Sequence, residues 1–137
     1  MSSRENIAQE IYAALKSIRT VKLGVVSRDP IIPEELPKTG FPAVSVESMR
    51  EERVRIANTM GESIMEVELV LYVAGKNRDQ QLNTVIEGID NKLAEDRTLN
   101  KNAKDLLLTR IEAIQTGEAA PYGSMRLVYT VRYCYTM

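Results

Sequence analysis

The stretch from Ile64 to Leu93 constrains this chain most. Met65, Val67, Leu69, Leu71 and Val73 alternate with Glu66, Glu68, Val70 and Tyr72, the period-two pattern of a strand with one face on a core. Gly75-Lys76-Asn77-Arg78 then makes a polar turn, and Asp79 is placed to cap a helix. In that helix Leu82, Val85, Ile86, Ile89 and Leu93 form one apolar stripe. A strand that turns straight into a helix with matching apolar faces gives a two-layer unit, helix over sheet. The fold class follows as α+β: one mixed, mostly antiparallel sheet with two main helices packed on one face.

The other elements extend this unit. Ser2 and Glu5 have the spacing of a capping box, and Ile7, Ile11, Ala14, Leu15 and Ile18 share a helical face, which predicts a first helix from about Ser3 to Ile18. Val21, Leu23 and Val25 predict a short strand over about Thr20 to Ser27. Three prolines between Arg28 and Gly40 exclude a regular helix or central strand there. That loop is either a plain connector or a binding arm. Phe41 to Glu47 and Arg53 to Ala57 read as two further strands, with Asn58 to Glu62 as the turn into the long one. A hairpin with Ile56 opposite Met65 and Val54 opposite Val67 would set Arg55 against Glu66 and Arg53 against Glu68. Glu95 to Asn102 is a polar break, with a helical turn around Asn102 to Leu106 allowed. A strand is expected from about Leu108, with Leu107, Thr109, Ile111 and Ala113 on one face. Thr116 to Gly123 is a loop. The last strand sets Met125, Leu127, Tyr129, Val131, Tyr133 and Tyr135 on one face and Arg126, Arg132 and Cys134 on the other. Arg126 and Arg132 are expected to pair with acids of neighbouring strands, and Cys134 to be buried or half-buried. The order is α, β, loop, β, β, β, α, β, β.

Composition narrows function chiefly by what is missing. The 137 residues suit one domain, residues 1–137, and contain no histidine, no tryptophan and one cysteine. Without histidine the commonest general base, the usual zinc ligand and most nucleophilic triads are unavailable. One cysteine permits no internal disulfide and fits a reducing compartment. No signal peptide or membrane span is legible, so an intracellular soluble protein is expected. Eighteen basic and 19 acidic residues leave a net charge of −1, which gives no general attraction to nucleic acid. The carboxylate pairs Glu34-Glu35, Glu51-Glu52 and Glu95-Asp96 lie in polar stretches without a recognisable partner, so a wetted surface is the simpler reading. Tyr129, Tyr133 and Tyr135 could stack a base, but aromatics on a sheet face are the commoner case. No phosphate-binding glycine cluster occurs. The sheet must end in edge strands, which a small protein either blunts or uses to add partners.

Taken whole, the layout resembles the tail terminator proteins of long-tailed bacteriophages, the lambda-type tail-tube capping family. The likeness runs through the Ile7 to Ile18 helix with its Val21 to Val25 strand, the proline-rich loop, Phe41 to Val46, Glu66 to Val73, Leu82 to Leu93, the Leu99 region and Val128 to Tyr133. The resemblance implies a structural virion protein of the tail-neck region, made in the host cytoplasm. Such a subunit forms a hexameric ring, caps the tail tube, ends its polymerisation and offers the surface for head-tail joining. Implied partners are further copies of the chain, the tail tube protein, the head-tail connector protein and, where the tail is contractile, the sheath protein. DNA passes through the lumen unread, no membrane is involved, and no catalytic residue, metal or cofactor is implied. Contacts are expected from the loops, at Pro30, Ile32, Pro33, Glu35, Leu36, Lys38, Thr59, Met60, Glu118 and Tyr122. Two other readings are another neck or head-completion protein, which would contact the portal side, and a small enzyme or ligand-binding domain, which would need a pocket of converging polar groups.

Overall fold

The computed structural model describes residues 3–114 and 122–136, apart from the side chains of Ser48 and Met49. The expected capping residue Ser2, the expected contact residue Glu118 and most of the Thr116 to Gly123 loop lie outside the described residues. Two helices, α1 (Ser3–Lys16) and α2 (Arg78–Ala94), cover one face of a five-stranded sheet. Its strands are β1 (Val25–Ser27), β2 (Ala43–Ala57), β3 (Met60–Ala74), β4 (Asp105–Ala113) and β5 (Tyr122–Thr136), in the spatial order β1-β2-β3-β5-β4. Among the described residues β1 and β2 run parallel and every other strand pair is antiparallel.

The alternation in β3 sends Met65, Val67, Leu69, Leu71 and Val73 into the core. Ile7, Ile11 and Leu15 of α1 and Leu82, Val85, Ile89 and Leu93 of α2 meet them from above. Beneath, β5 adds Leu127, Tyr129, Val131 and Tyr133. Each buried tyrosine keeps a partner for its hydroxyl: Tyr129 donates to Asp90 of α2 at 3.0 Å and Tyr133 to Glu51 of β2 at 2.8 Å. Both rings are fully buried and so cannot stack a base.

Several local expectations change. The segment before β1 is not a strand as far back as Thr20, because Thr20 and Val21 lie against Gly88 of α2. At Gly24 the chain passes so close to the Thr39 carbonyl that a Cβ would stand 2.4 Å from its oxygen. The proline-rich loop folds into two short 3-10 turns, Pro33–Glu35 and Lys38–Gly40. Helix α2 begins before Asp79: Asn77 occupies the N-cap position with left-handed φ 59° and makes no side-chain cap bond. Gln81 ties the turn instead, its amide donating to the carbonyls of Ala74 and Lys76 at 2.9 and 2.7 Å. No helical turn forms over Asn102 to Leu106, and β4 starts at Asp105.

The two strands expected at 41–47 and 53–57 are one long β2, and the hairpin register differs from expectation. Only Asn58 and Thr59 separate β2 from β3, since Ala57 pairs with Met60. Val54 therefore opposes Glu62 and Arg53 opposes Ser63, while Met65 faces Glu51. Irregularities between Arg55 and Ala57 and between Ser48 and Glu51 adjust the register along the ladder. On the face away from the helices Arg126 binds Glu68 at 2.8 Å, and Arg132 binds Glu62 at 3.1 Å, as their positions in β5 suggested.

Candidate functional site

The expected contact residues fall into two groups at opposite ends of the sheet. Pro33, Leu36, Lys38 and Tyr122 come together beside the Ala74 end of β3, where with Phe41 and Gln81 they line a cavity of about 610 Å³. The Tyr122 hydroxyl donates to Glu34 at 2.5 Å, and this bond holds the Glu34 carboxyl below its ordinary pKa and raises that of Tyr122. Pro30, Ile32 and Glu35 are exposed on the same loop but do not line the cavity. Thr59 and Met60 occupy the hairpin tip and the first position of β3, where Met60 pairs with Thr136 at the far end of β5. The structure thus does not bring all the expected residues into one site.

A different surface stands out once the sheet order is known. At one edge β1 covers only Ala43 to Ser45 of β2, so among the described residues no strand pairs with the outer side of β2 from Arg50 to Ala57. At the other edge β4 has β5 on one side and, among the described residues, no strand beyond it. Both edges carry large exposed apolar side chains: Val54 56%, Ile56 52% and Met60 44% at the hairpin, Leu107 50% and Ile111 50% on β4. The sequence reading placed Val54 and Ile56 on a buried face and set Leu107 and Ile111 together. In fact a register irregularity between Leu108 and Arg110 divides them: Leu107 pairs with Thr130 on the face away from the helices, and Ile111 with Leu127 on the helix side. The two-residue Asn58-Thr59 turn was the signal for the first error. The second had no clear sequence signal.

Charge decorates these edges in short local pairs. Arg50 binds Glu52 at 2.9 Å on β2, both well exposed, and Arg110 binds Glu112 on β4, where Glu112 is half-buried and also reaches Arg126 at 3.5 Å. Deeper in the hairpin Glu51 is engaged by Arg53, Arg4 and the Tyr133 hydroxyl, and its own side chain is only 8% exposed. Burial pushes its carboxyl up, but the bonds from Arg53 and Tyr133 outweigh burial and hold it below the ordinary value. Arg53 also lies over the Tyr135 ring at 4.4 Å. Cys134, expected to be at least half-buried, is exposed because its strand position points away from the helices. Among the described residues no group of three or more His, Cys, Asp or Glu is placed to hold a metal ion, and no helix is long and apolar enough to cross a membrane.

No protein-family model matches the chain. No curated protein matches it either. Among solved structures, a chain of one titled "Virion of native gene transfer agent (GTA) particle" aligns with 92% of this chain and 90% of its own length. The identity is 12% and the TM-score 0.42.

Proposed function

We propose that this protein is a structural subunit of a phage-like particle, a tail terminator that closes into a ring on the end of the tail tube and carries out no chemical step. The sequence resemblance supplies the class of particle and the hexameric stoichiometry. The observation that carries the reading is the pair of unlike open edges on opposite sides of one sheet, each bearing exposed apolar side chains. A surface that joins a different surface of an identical neighbour makes a head-to-tail contact, and such contacts give rings when the rotation closes. Exposed Val54, Ile56, Leu107 and Ile111 would lose their contact with water there. The loop rim, with Pro30, Ile32, Pro33, Glu35, Leu36 and Lys38, remains free in such a ring to meet the tube or the head connector, and DNA crosses the lumen without being read.

Purified protein added to polymerising tail tube protein from the same particle tests this. Tube lengths measured by electron microscopy shorten as the protein is added, and a ring stands at a tube end. Tubes that elongate unchanged, with no density at either end, would contradict it.

A further inference from the structure

We infer that the ring contact is a strand pairing in which residues 107–112 of β4 align antiparallel with residues 50–54 of β2 in a second copy; this rests on the ring reading. Direction follows from topology. Strands β2 and β4 are separated by three antiparallel steps, through β3 and β5, so they run oppositely within one chain. A rotation that carries the sheet around a ring keeps that direction, and β4 meets the next copy's β2 antiparallel.

Register follows from the side chains. With Arg110 opposite Glu52, Glu112 falls opposite Arg50, and the irregularity between Leu108 and Arg110 brings Leu107 opposite Val54. Two local ion pairs, Arg50 with Glu52 and Arg110 with Glu112, then stack into a box of four alternating charges beside an apolar contact that covers both half-exposed residues. The unshifted register is worse: through Arg132 and Ile64, Asp105 lies level with Glu52, which would oppose two carboxylates.

On the β5 ladder the displacement from Asp105 to Arg110 is four positions, Arg132 to Val128, across the four strands β2, β3, β5 and β4, about one residue per strand, the stagger of closed barrels whose strands tilt by about 36°. Arg97 occupies the β4 edge just before this segment, donating to the Leu106 carbonyl at 2.9 Å. The pairing accordingly starts at Leu107. It spans about 20 Å at the usual rise per residue.

The test exchanges the two charges of each local pair; on β4 this also removes the contact of Glu112 with Arg126 at 3.5 Å, a loss inside the chain that the single and the combined exchange share and that the melting temperatures read. Arg110→Glu with Glu112→Arg retains an opposite-charge pair on β4 but sets like charges across the contact. Arg50→Glu with Glu52→Arg does the same from β2. Either exchange alone is expected to weaken self-association about tenfold per contact, and both together to restore it, as read by analytical ultracentrifugation with melting temperatures as the folding control. In a Cys134→Ser background treated with the thiol oxidant diamide, which takes up the two electrons and two protons, Leu107→Cys with Val54→Cys gives a disulfide-linked ladder of copies, and neither cysteine alone does. An intact oligomer that ignores both exchanges and forms no ladder overturns this pairing while leaving the ring standing. A wild-type chain that stays monomeric both alone and on tubes overturns the ring reading and the pairing with it.

Discussion

Glu51 is the residue through which the hairpin is tied to the body of the molecule. It accepts from Tyr133 of β5 and is ion-paired to Arg4 of α1 and Arg53 of its own strand. Because its folded pKa lies below the ordinary value, the unfolded chain takes up the proton first. The stability that Glu51 contributes is therefore present above the ordinary glutamate pKa of about 4.3 and is lost as pH falls through the lowered folded value. Glu51→Gln should lower the melting temperature near neutrality and flatten its decline as pH falls through and below the ordinary glutamate range, measured by circular dichroism. Ser63 makes the opposite case, since its hydroxyl is fully buried and finds no hydrogen-bond partner among the described residues. Ser63→Ala is expected to stabilise by about 1 kcal/mol in urea unfolding, and a loss of that size would mean the hydroxyl has a role the fold conceals. At this scale the core was legible: every inward position of β3 and the α2 stripe except half-buried Ile86 is buried as the periodicity required. Two of the partners of Glu51 were not, because Tyr133 and Arg4 come from elements distant in sequence and no local spacing encodes their convergence on it.

Elements were legible where one period ran long and illegible where turns and irregularities set the register. The pairing of Val54 with Val67 satisfied both faces on paper, yet the Asn58-Thr59 turn fixes Ala57 against Met60 and moves every partner. The two unlike strands inferred around Ser48 are one strand because an irregularity absorbs the break in alternation. Edge location, which decides what β2 and β4 offer to a partner, depends on strand order and has no local sequence code. Helix α2 is held to the sheet mainly by its stripe, with Ile89 at the centre and fully buried. Ile89→Ala should cost about 2–5 kcal/mol of unfolding free energy by the cavity it leaves. A cost under about 1 kcal/mol would mean that α2 settles into the space and is less firmly seated than its burial implies.

The whole molecule is a helix-covered sheet whose two edges differ: one is a hairpin with exposed Val54 and Ile56, the other a strand with exposed Leu107 and Ile111. Unlike edges favour head-to-tail addition over a two-fold dimer, since a two-fold contact would set each edge against itself. A ring closed by that contact, as proposed, would bury both edges and so remove the free backbone groups that otherwise invite open-ended aggregation. A native mass spectrum across a concentration series, with the protein alone and with short tail tubes, tests this most directly. The expected spectrum holds one closed species of six copies, in solution or on tube ends, with few even-numbered intermediates; a two-fold dimer, or a monomer at every concentration with and without tubes, would contradict the head-to-tail ring.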